Sequence, residues 1–449
     1  MIPDAWRRGT VAVIGLGKSG VAATRWLARA GVRVYASDAA ATPFAGDAAA
    51  ALRTLPGVEV DLGKHDTAKI QQATGVVVSP GVPTDAPPLT AARAAGVPIV
   101  SEIDLGAMIL GAATRCIAIT GTNGKTTTTA LTAHLLKVAG VQAEAVGNIG
   151  RPLTDVALAG EQPAWLAVEV SSFQLHDSPD FAPAVGVLTN LAPDHLDRYP
   201  NVQAYYADKQ LLFRNASDAS VWILNGDDSA VLELAAGVRG RTMRFSLRGA
   251  GDAWYSPDRQ LRLGRAKLIA RDELQLLGDH NVANALAATL AAQQAGVEPA
   301  ALAEGLRSFR ALPHRLEPVG EVRGVRWIND SKATNIASTV VAVEAMDRPF
   351  VLLLGGRHKG EPYTRLAPLL QERCRLVIAY GEAGPLVEHD LSGKIPLELG
   401  TTFEDVVARA RRAAQPGEAV LLSPACSSYD MFKNYEERGA MFRRLAVAA

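Results

Sequence analysis

Residues 120–127 read Thr-Gly-Thr-Asn-Gly-Lys-Thr-Thr, between a short β-branched run and an apolar-periodic stretch. Glycines at 121 and 124 let the backbone turn tightly, so that successive N–H groups point at phosphate oxygens. A helix starting there adds partial positive charge. Lys125 adds a full one, and Thr126 offers a hydroxyl to Mg²⁺. Ile119 stands where the longer phosphate loop has its first Gly, so this is a shortened Gly-x-x-Gly-Lys-Thr form. A second glycine set, Gly15-Leu16-Gly17-Lys18-Ser19-Gly20, follows the run 11–14, and Asp38 ends the next run. It predicts an anion-binding helix N-terminus with an acid that accepts from a hydroxyl or N–H. On this motif alone NAD stands ahead of a UDP group.

Glu169 closes an apolar run, which puts a carboxylate on the rim where open α/β sheets bind ligands, a donor suited to Mg²⁺. Residues 190–200 pack Asp194, His195, Asp197 and Arg198 after another buried run; His195 ligates metal or meets an anionic substrate, and spacing alone leaves both open. Lys209, in a predicted helix, reads by itself as a surface lysine. In the last third, 327–335, 354–360 and 422–430 each place polar groups after a strand-like run, which predicts a small charged ligand at one sheet edge. Cys426 reads as a buried structural cysteine, since no histidine pairs with it.

Short β-branched runs and Ala/Leu-rich helical stretches alternate along the 449 residues. This is βαβ logic and predicts parallel sheets. The first series has runs at 11–14, 32–36, 76–79 and 99–100, with helical stretches at 48–54 and 89–95 and a loop at 85–88. The second has runs at 116–120, 165–170, 185–188 and 221–224, with helices near 126–139 and 281–295. Residues 241–277 read as small antiparallel strands. The third has runs at 325–328, 350–354, 376–380 and 419–422. Boundaries near 102 and 312 give three domains, 1–102, 103–312 and 313–449.

Forty-six basic and 46 acidic residues give a formal net charge of zero, against a broad nucleic-acid or anionic-membrane partner. At 48% apolar the chain can bury cores, and no apolar run nears the roughly 20 residues that span a bilayer. The N-terminus does not read as a signal peptide, and three scattered cysteines fit a reducing cytosol.

Together the motifs resemble the ATP-dependent Mur ligases of bacterial cell-wall synthesis. They are Gly-Thr-Asn-Gly-Lys-Thr at 121–126, Glu-Val-Ser-Ser-Phe-Gln-Leu at 169–175 and Asp-His-Leu-Asp-Arg-Tyr-Pro at 194–200. Gly-Asp-His-Asn-Val-Ala-Asn-Ala at 278–285 and Leu-Pro-His-Arg-Leu-Glu at 312–317 follow. Asn-Asp-Ser-Lys-Ala-Thr-Asn at 329–335 and Ser-Pro-Ala-Cys-Ser-Ser-Tyr-Asp at 423–430 complete them. The resemblance implies an α/β protein of three domains: a Rossmann-like UDP-binding domain, a central phosphate-loop ATPase domain with a parallel sheet plus a small antiparallel one, and a Rossmann-like C-terminal domain.

It also implies a function, addition of D-glutamate to UDP-N-acetylmuramoyl-L-alanine through an acyl phosphate. Gly121, Thr122, Asn123, Gly124, Lys125, Thr126 and Thr127 would hold ATP, with Asn281, Arg315 and Asp330. Thr126, Glu169, His195 and Lys209 would serve two Mg²⁺ ions, Lys209 as a CO₂-derived carbamate. Gly17, Lys18, Ser19, Asp38, Ser79 and Gly81 would line the UDP group, displacing NAD, with Asn148, Ser171 and Gln174 meeting the substrate further in. Thr334, Lys359, Ser428 and Tyr435 would form the glutamate pocket. The chain is expected to be a cytoplasmic monomer. Sibling ligases that add other amino acids are the nearest alternative. The Asp-Asn-Pro-Arg signature of the diamino-acid adders is not in the sequence.

Overall fold

In a computed structural model, which describes residues 2–196 and 198–447, the chain falls into two compact units. Asp197, one of the charged residues of the 194–200 segment, lies outside the described residues. The first unit comprises the chain up to 273 with 283–307, and the second comprises 274–282 with the chain from 308 on.

The first unit carries two sheets. One is five parallel strands, β1 (Thr10–Ile14), β2 (Arg33–Asp38), β3 (Val58–Leu62), β4 (Gly75–Val78) and β5 (Ile99–Ser101), in the order 3-2-1-4-5. Strands covered on both faces read as continuous apolar runs, as Val11–Ile14 and Val76–Val78 do here, all buried. The order reverses between β1 and β4, the place where open α/β sheets leave a crevice.

The larger sheet has nine strands: β6 (Arg115–Thr120), β7 (Ala143–Gly147), β8 (Trp165–Glu169), β9 (Val185–Leu188), β10 (Val221–Asn225), β11 (Arg241–Ser246), β12 (Ala253–Tyr255), β13 (Gln260–Leu263) and β14 (Ala266–Ala270). Their order is 14-13-12-11-10-9-6-8-7. The expectation of antiparallel strands throughout 241–277 needs correction. β11 pairs parallel with β10 and β12, and only β12 to β14 are antiparallel. The crossover helix Ser229–Leu234 brings β11 back in the β10 direction, a constraint the charged-apolar alternation of 241–246 does not carry.

The helix Glu102–Leu110 leads from β5 toward the larger sheet. Glu102 accepts from the Thr154 N–H (2.7 Å) and hydroxyl (2.6 Å), Ser101 Oγ pairs with Ser178 Oγ at 2.7 Å, and Arg93 meets Asp177 at 3.0 Å.

The second unit holds a six-stranded sheet, β15 (Glu317–Val322), β16 (Val325–Asn329), β17 (Phe350–Gly355), β18 (Cys374–Tyr380), β19 (Leu397–Leu399) and β20 (Ala419–Leu422), in the order 15-16-20-17-18-19. Only the β15–β16 pair is antiparallel. Strands β3, β7, β15 and β19 went unpredicted; β15 contains Pro318 and Gly320 and is bulged there. The predicted loop 85–88 is half helix: Pro87 and Pro88 open the helix Pro87–Ala94, since proline at a first helical turn gives up an N–H that has no partner there. All three cysteines are buried and free. Among the described residues no helix is long and apolar enough to cross a membrane.

Candidate functional site

The phosphate loop leaves β6 and runs into the helix Lys125–Val138. Gly121 (φ +141°) and Gly124 (φ +82°) occupy backbone regions that L side chains rarely adopt. A Cβ at Gly121 would sit 2.0 Å from Thr189 Oγ1, and one at Gly124 would sit 2.3 Å from Asn284 Oδ1. The loop is braced by the end of β9: Asn190 O accepts from Thr122 N at 2.9 Å, and Asn190 Oδ1 accepts from Asn123 N at 2.9 Å. Lys125 Nζ curls back onto the carbonyls of Gly121 (2.9 Å) and Thr122 (2.7 Å), within the concavity its own backbone forms.

Lys209 is no surface lysine. It is 1% exposed on the helix Val202–Gln210, and its Nζ donates to the same Gly121 carbonyl at 2.7 Å. Burial, and next the neighbouring Lys125 ammonium, hold its pKa well below the usual lysine value; Asp194, Asp208 and Glu169 lie near enough to oppose this. The three motifs that carry Lys125, Glu169 and Asp194-His195 therefore converge around one lysine.

Glu169 ends β8 beside β6, with Ile119 as its register partner. It is buried; Oε1 accepts from Asn148 Nδ2 at 2.8 Å, while Oε2 is buried with no hydrogen-bond partner. A buried carboxylate oxygen left open is the donor a hard cation takes, and Mg²⁺ needs only one or two carboxylates when phosphates complete its shell. Thr126 is the second residue of the helix that follows the loop. The donors present thus fit the predicted magnesium. His195 sits at φ 54°, a left-handed conformation costing roughly 1–3 kcal/mol for a residue with a Cβ. Its ring packs against Phe173 (5.2 Å) and Tyr205 (5.9 Å). Ser171 and Gln174 form a reciprocal cap at the start of the helix Ser172–His176, with Gln174 Nε2 buried and unpartnered.

Gly17, Lys18, Ser19, Asp38, Ser79 and Gly81 line a cavity of about 660 Å³ at the β1/β4 switch point, with His65 and the apolar wall Val82, Pro83, Pro87 and Pro88. Asp38 spends both oxygens on backbone: Leu16 N–H (2.7 Å) and Ala40 N–H (2.8 Å). It anchors the glycine loop, a role distinct from the ribose acceptor of a dinucleotide fold. His65, whose Nδ1 lies 2.9 Å from Ser37 Oγ, was missed, since a lone histidine in a loop gives no pattern.

In the second unit, Lys359 Nζ reaches Thr334 Oγ1 at 3.4 Å, and Ser428 is buried. Asp330 is buried, accepting from Leu316 N–H (3.1 Å) and Ser423 Oγ (2.9 Å); burial pushes its pKa up to about 7. Tyr435 lies over Lys332, 5.1 Å from Nζ to ring centre. Asn281 Nδ2 caps the Leu277 carbonyl at 2.8 Å, and Arg315 N donates to the Leu312 carbonyl at 3.1 Å, closing the turn before β15. Arg438, unpredicted, is fully buried and donates to Ser331 O (2.8 Å), Ser331 Oγ (3.0 Å) and Cys426 O (3.0 Å). It staples the loop after β16 to the loop after β20. Tyr363 OH meets Cys426 Sγ at 2.8 Å, and burial raises the thiol pKa, so this cysteine is structural.

A glycine-rich loop at the strand ends of a parallel sheet, faced by an open buried carboxylate and two lysines, defines a nucleotide-dependent phosphoryl-transfer enzyme. Three family models match in sequence: the Mur ligase MurD-like N-terminal domain over 9–101, the Mur ligase middle domain over 119–292, and the Mur ligase glutamate ligase domain over 314–426. The chain belongs to the Mur ligase family, whose members are ATP-dependent, ADP-forming amide ligases. It is 44% identical to the UDP-N-acetylmuramoylalanine–D-glutamate ligase of Salinibacter ruber, with 99% of each chain covered. It is 43% identical to the enzyme of that name from Anaeromyxobacter dehalogenans, with 98% of each covered. In fold it is similar to the UDP-N-acetylmuramate-alanine ligase of Thermotoga maritima, at 19% identity and a TM-score of 0.60 over 97% of this chain and 98% of that one.

Proposed function

We propose that this chain joins D-glutamate to UDP-N-acetylmuramoyl-L-alanine with cleavage of ATP to ADP, the activity its relatives are named for. The observation that carries the reading is the convergence on the Gly121 carbonyl: two lysines at one oxygen, in a neighbourhood that includes Glu169 with its open oxygen.

A bare carboxylate is a poor acyl donor. Transfer of the γ-phosphoryl group to the alanyl carboxylate oxygen makes a leaving group. The glutamate nitrogen then forms the C–N bond, the C–O bond to phosphate breaks, and the nitrogen sheds a proton. Two anions must approach in the first step, so positioning and charge neutralisation are what the protein supplies. The loop N–H groups and Lys125 hold the phosphates, with Gly121, Thr122, Asn123, Gly124, Thr126 and Thr127 shaping the cradle. Magnesium, when bound, supplies the remaining neutralisation, held by Thr126, Glu169, His195 and Lys209. Lys209 suits carbamylation, because burial favours the neutral amine that adds CO₂ with loss of a proton, turning a donor into an oxygen acceptor.

The UDP group lies along Gly17, Lys18, Ser19, Asp38, Ser79 and Gly81, and Asn148, Ser171 and Gln174 meet the substrate further in. Asn281, Arg315 and Asp330 complete the ATP contacts. Lys359 pairs a glutamate carboxylate, with Thr334, Ser428 and Tyr435 around it. The domains are 1–102, 103–312 and 313–449, and the enzyme works as a monomer in the cytoplasm, where nucleotide-linked precursors and ATP are present.

Phosphate release with UDP-N-acetylmuramoyl-L-alanine, screened against D-Glu, L-Glu, L-Ala and diaminopimelate, tests this. D-Glu alone is expected to drive fast release and a longer peptide. Release that is equally fast without any amino acid, or driven by another one, overturns the reading. Lys209→Ala is expected to lose about a hundredfold or more, with partial rescue by short carboxylic acids; full activity removes the carbamate.

A further inference from the structure

Asp208 lies beside Lys209 on the helix Val202–Gln210, 9% exposed, and nothing above gives it a role. Its two oxygens are divided: Oδ1 pairs with His176 Nδ1 at 2.8 Å, and Oδ2 accepts from Tyr199 OH at 2.9 Å. These partners belong to separate segments of the site. His176 ends the helix Ser172–His176, which starts two residues of loop after Glu169 and β8. Tyr199 belongs to the segment that carries His195.

Around this bridge the aromatic rings close up. Tyr199 stacks on Phe173 (5.4 Å) and tilts against Tyr205 (5.3 Å); His195 meets both Phe173 and Tyr205 edge-on. Tyr205, one turn before Lys209, lies 4.7 Å beneath its Nζ and points its hydroxyl at Thr122 Oγ1 (3.4 Å). Adjacent residues on a helix project about 100° apart, so an anchor at 208 sets the rotation that aims 209. Lys209 has a long, flexible stem. The direction in which the helix presents that stem therefore sets whether the amine rests on the Gly121 carbonyl, its acceptor at 2.7 Å, or elsewhere.

We propose that Asp208 is a positioning residue for the ligation reaction. By bridging His176 and Tyr199 it fixes the helix so that the Lys209 amine stays against the phosphate loop, where it takes up CO₂. This rests on the carbamate reading given above. Asp208 touches neither substrate nor reacting atoms, and acts through Lys209 and the ring packing of His195.

The test uses the full chain with ¹³C-bicarbonate, reading the carbamate carbon by NMR and phosphate release against bicarbonate concentration. Asp208→Ala is expected to raise the half-saturating bicarbonate about tenfold and to lower kcat, leaving the KM for the UDP substrate within about twofold. Tyr199→Phe keeps the ring and removes one of the two bonds, and is expected to fall between wild type and Asp208→Ala; it serves alone if the alanine variant does not fold. In a Lys209→Ala background, Asp208→Ala is expected to add less than about twofold, because the two residues act as one unit. A carbamate signal kept at wild-type bicarbonate by the soluble variants, or full additivity in the Lys209→Ala background, overturns the positioning role. No carbamate signal and no bicarbonate dependence in the wild type overturns the carbamate reading and this inference together.

Discussion

Replacing Glu102 with Gln is expected to stabilise the protein above neutral pH and to leave it nearly unchanged at pH 4.5. Glu102 is 1% exposed at the start of the helix Glu102–Leu110, and Oε1 takes both donors of Thr154 while Oε2 is buried without a partner. Two donors on one oxygen favour the carboxylate. Burial outweighs them, helped by the charge of Asp155, and lifts the pKa from 4.5 to about 7.

The sign follows from proton counting. Between pH 4.5 and about 7 the unfolded chain has lost this proton and the folded one has kept it, so stability falls as pH rises through that window. The favourable contribution is whole below 4.5 and gone above about 7. At about 1.4 kcal/mol per pH unit, the window is worth about 3 kcal/mol. The amide introduced by Glu102→Gln keeps the acceptor for Thr154 and fills the same volume, but carries no proton to lose. Urea unfolding from pH 4.5 to 8.5 is the assay. The wild type should lose about 3 kcal/mol relative to Glu102→Gln across the range. Other raised carboxyls, Asp104 and Asp330 among them, titrate in both proteins and cancel in the difference. Parallel curves for the two proteins would refute the reasoning.

Three further substitutions probe the site from different sides. Gly121→Ala places a Cβ against Thr189 Oγ1 in a glycine backbone region, and should cost roughly 1–3 kcal/mol and raise the KM for ATP about tenfold or more, by calorimetry and kinetics. Asp38→Ala strips the acceptor from Leu16 and Ala40 N–H, and should raise the KM for the UDP substrate about tenfold while the KM for ATP holds. An unchanged UDP-substrate KM would remove Asp38 from that site. Arg438→Met leaves buried carbonyls of Ser331 and Cys426 unpaired and should cost about 3–5 kcal/mol in thermal unfolding, without rescue by Arg438→Lys, which has no planar fork.

Most of the sheet strands were legible as short β-branched runs because parallel strands buried on both faces leave that pattern. Those that escaped had other reasons to be strands. β7 (Ala143–Gly147) is an edge of the nine-stranded sheet, and β15 is an antiparallel edge interrupted by a bulge. The phosphate loop was legible for a chemical reason: its glycines are demanded by backbone angle and by clearance, both local to a few residues. Lys209 was not, because what makes it unusual is tertiary. Its burial and its bond to a carbonyl 88 positions away leave no mark on the sequence around it. Only resemblance to a family singled it out.

The same contrast explains which residues resemblance also passes over. Asp208, Arg438 and Glu102 touch no predicted ligand; each spends its polar head on groups brought together by the fold: His176 and Tyr199, Ser331 and Cys426, Thr154. An ionisable group is costly to bury, so each is a place where sequence-local preference was overruled by a tertiary requirement. In Asp208 and Arg438 that requirement is the posture of a loop or helix bearing site residues. The glycine loop at 120–127 is written in a short run of consecutive letters. The scaffold that aims Lys209 at it is written in pairs of residues 9 and 32 apart, which only the folded chain makes adjacent.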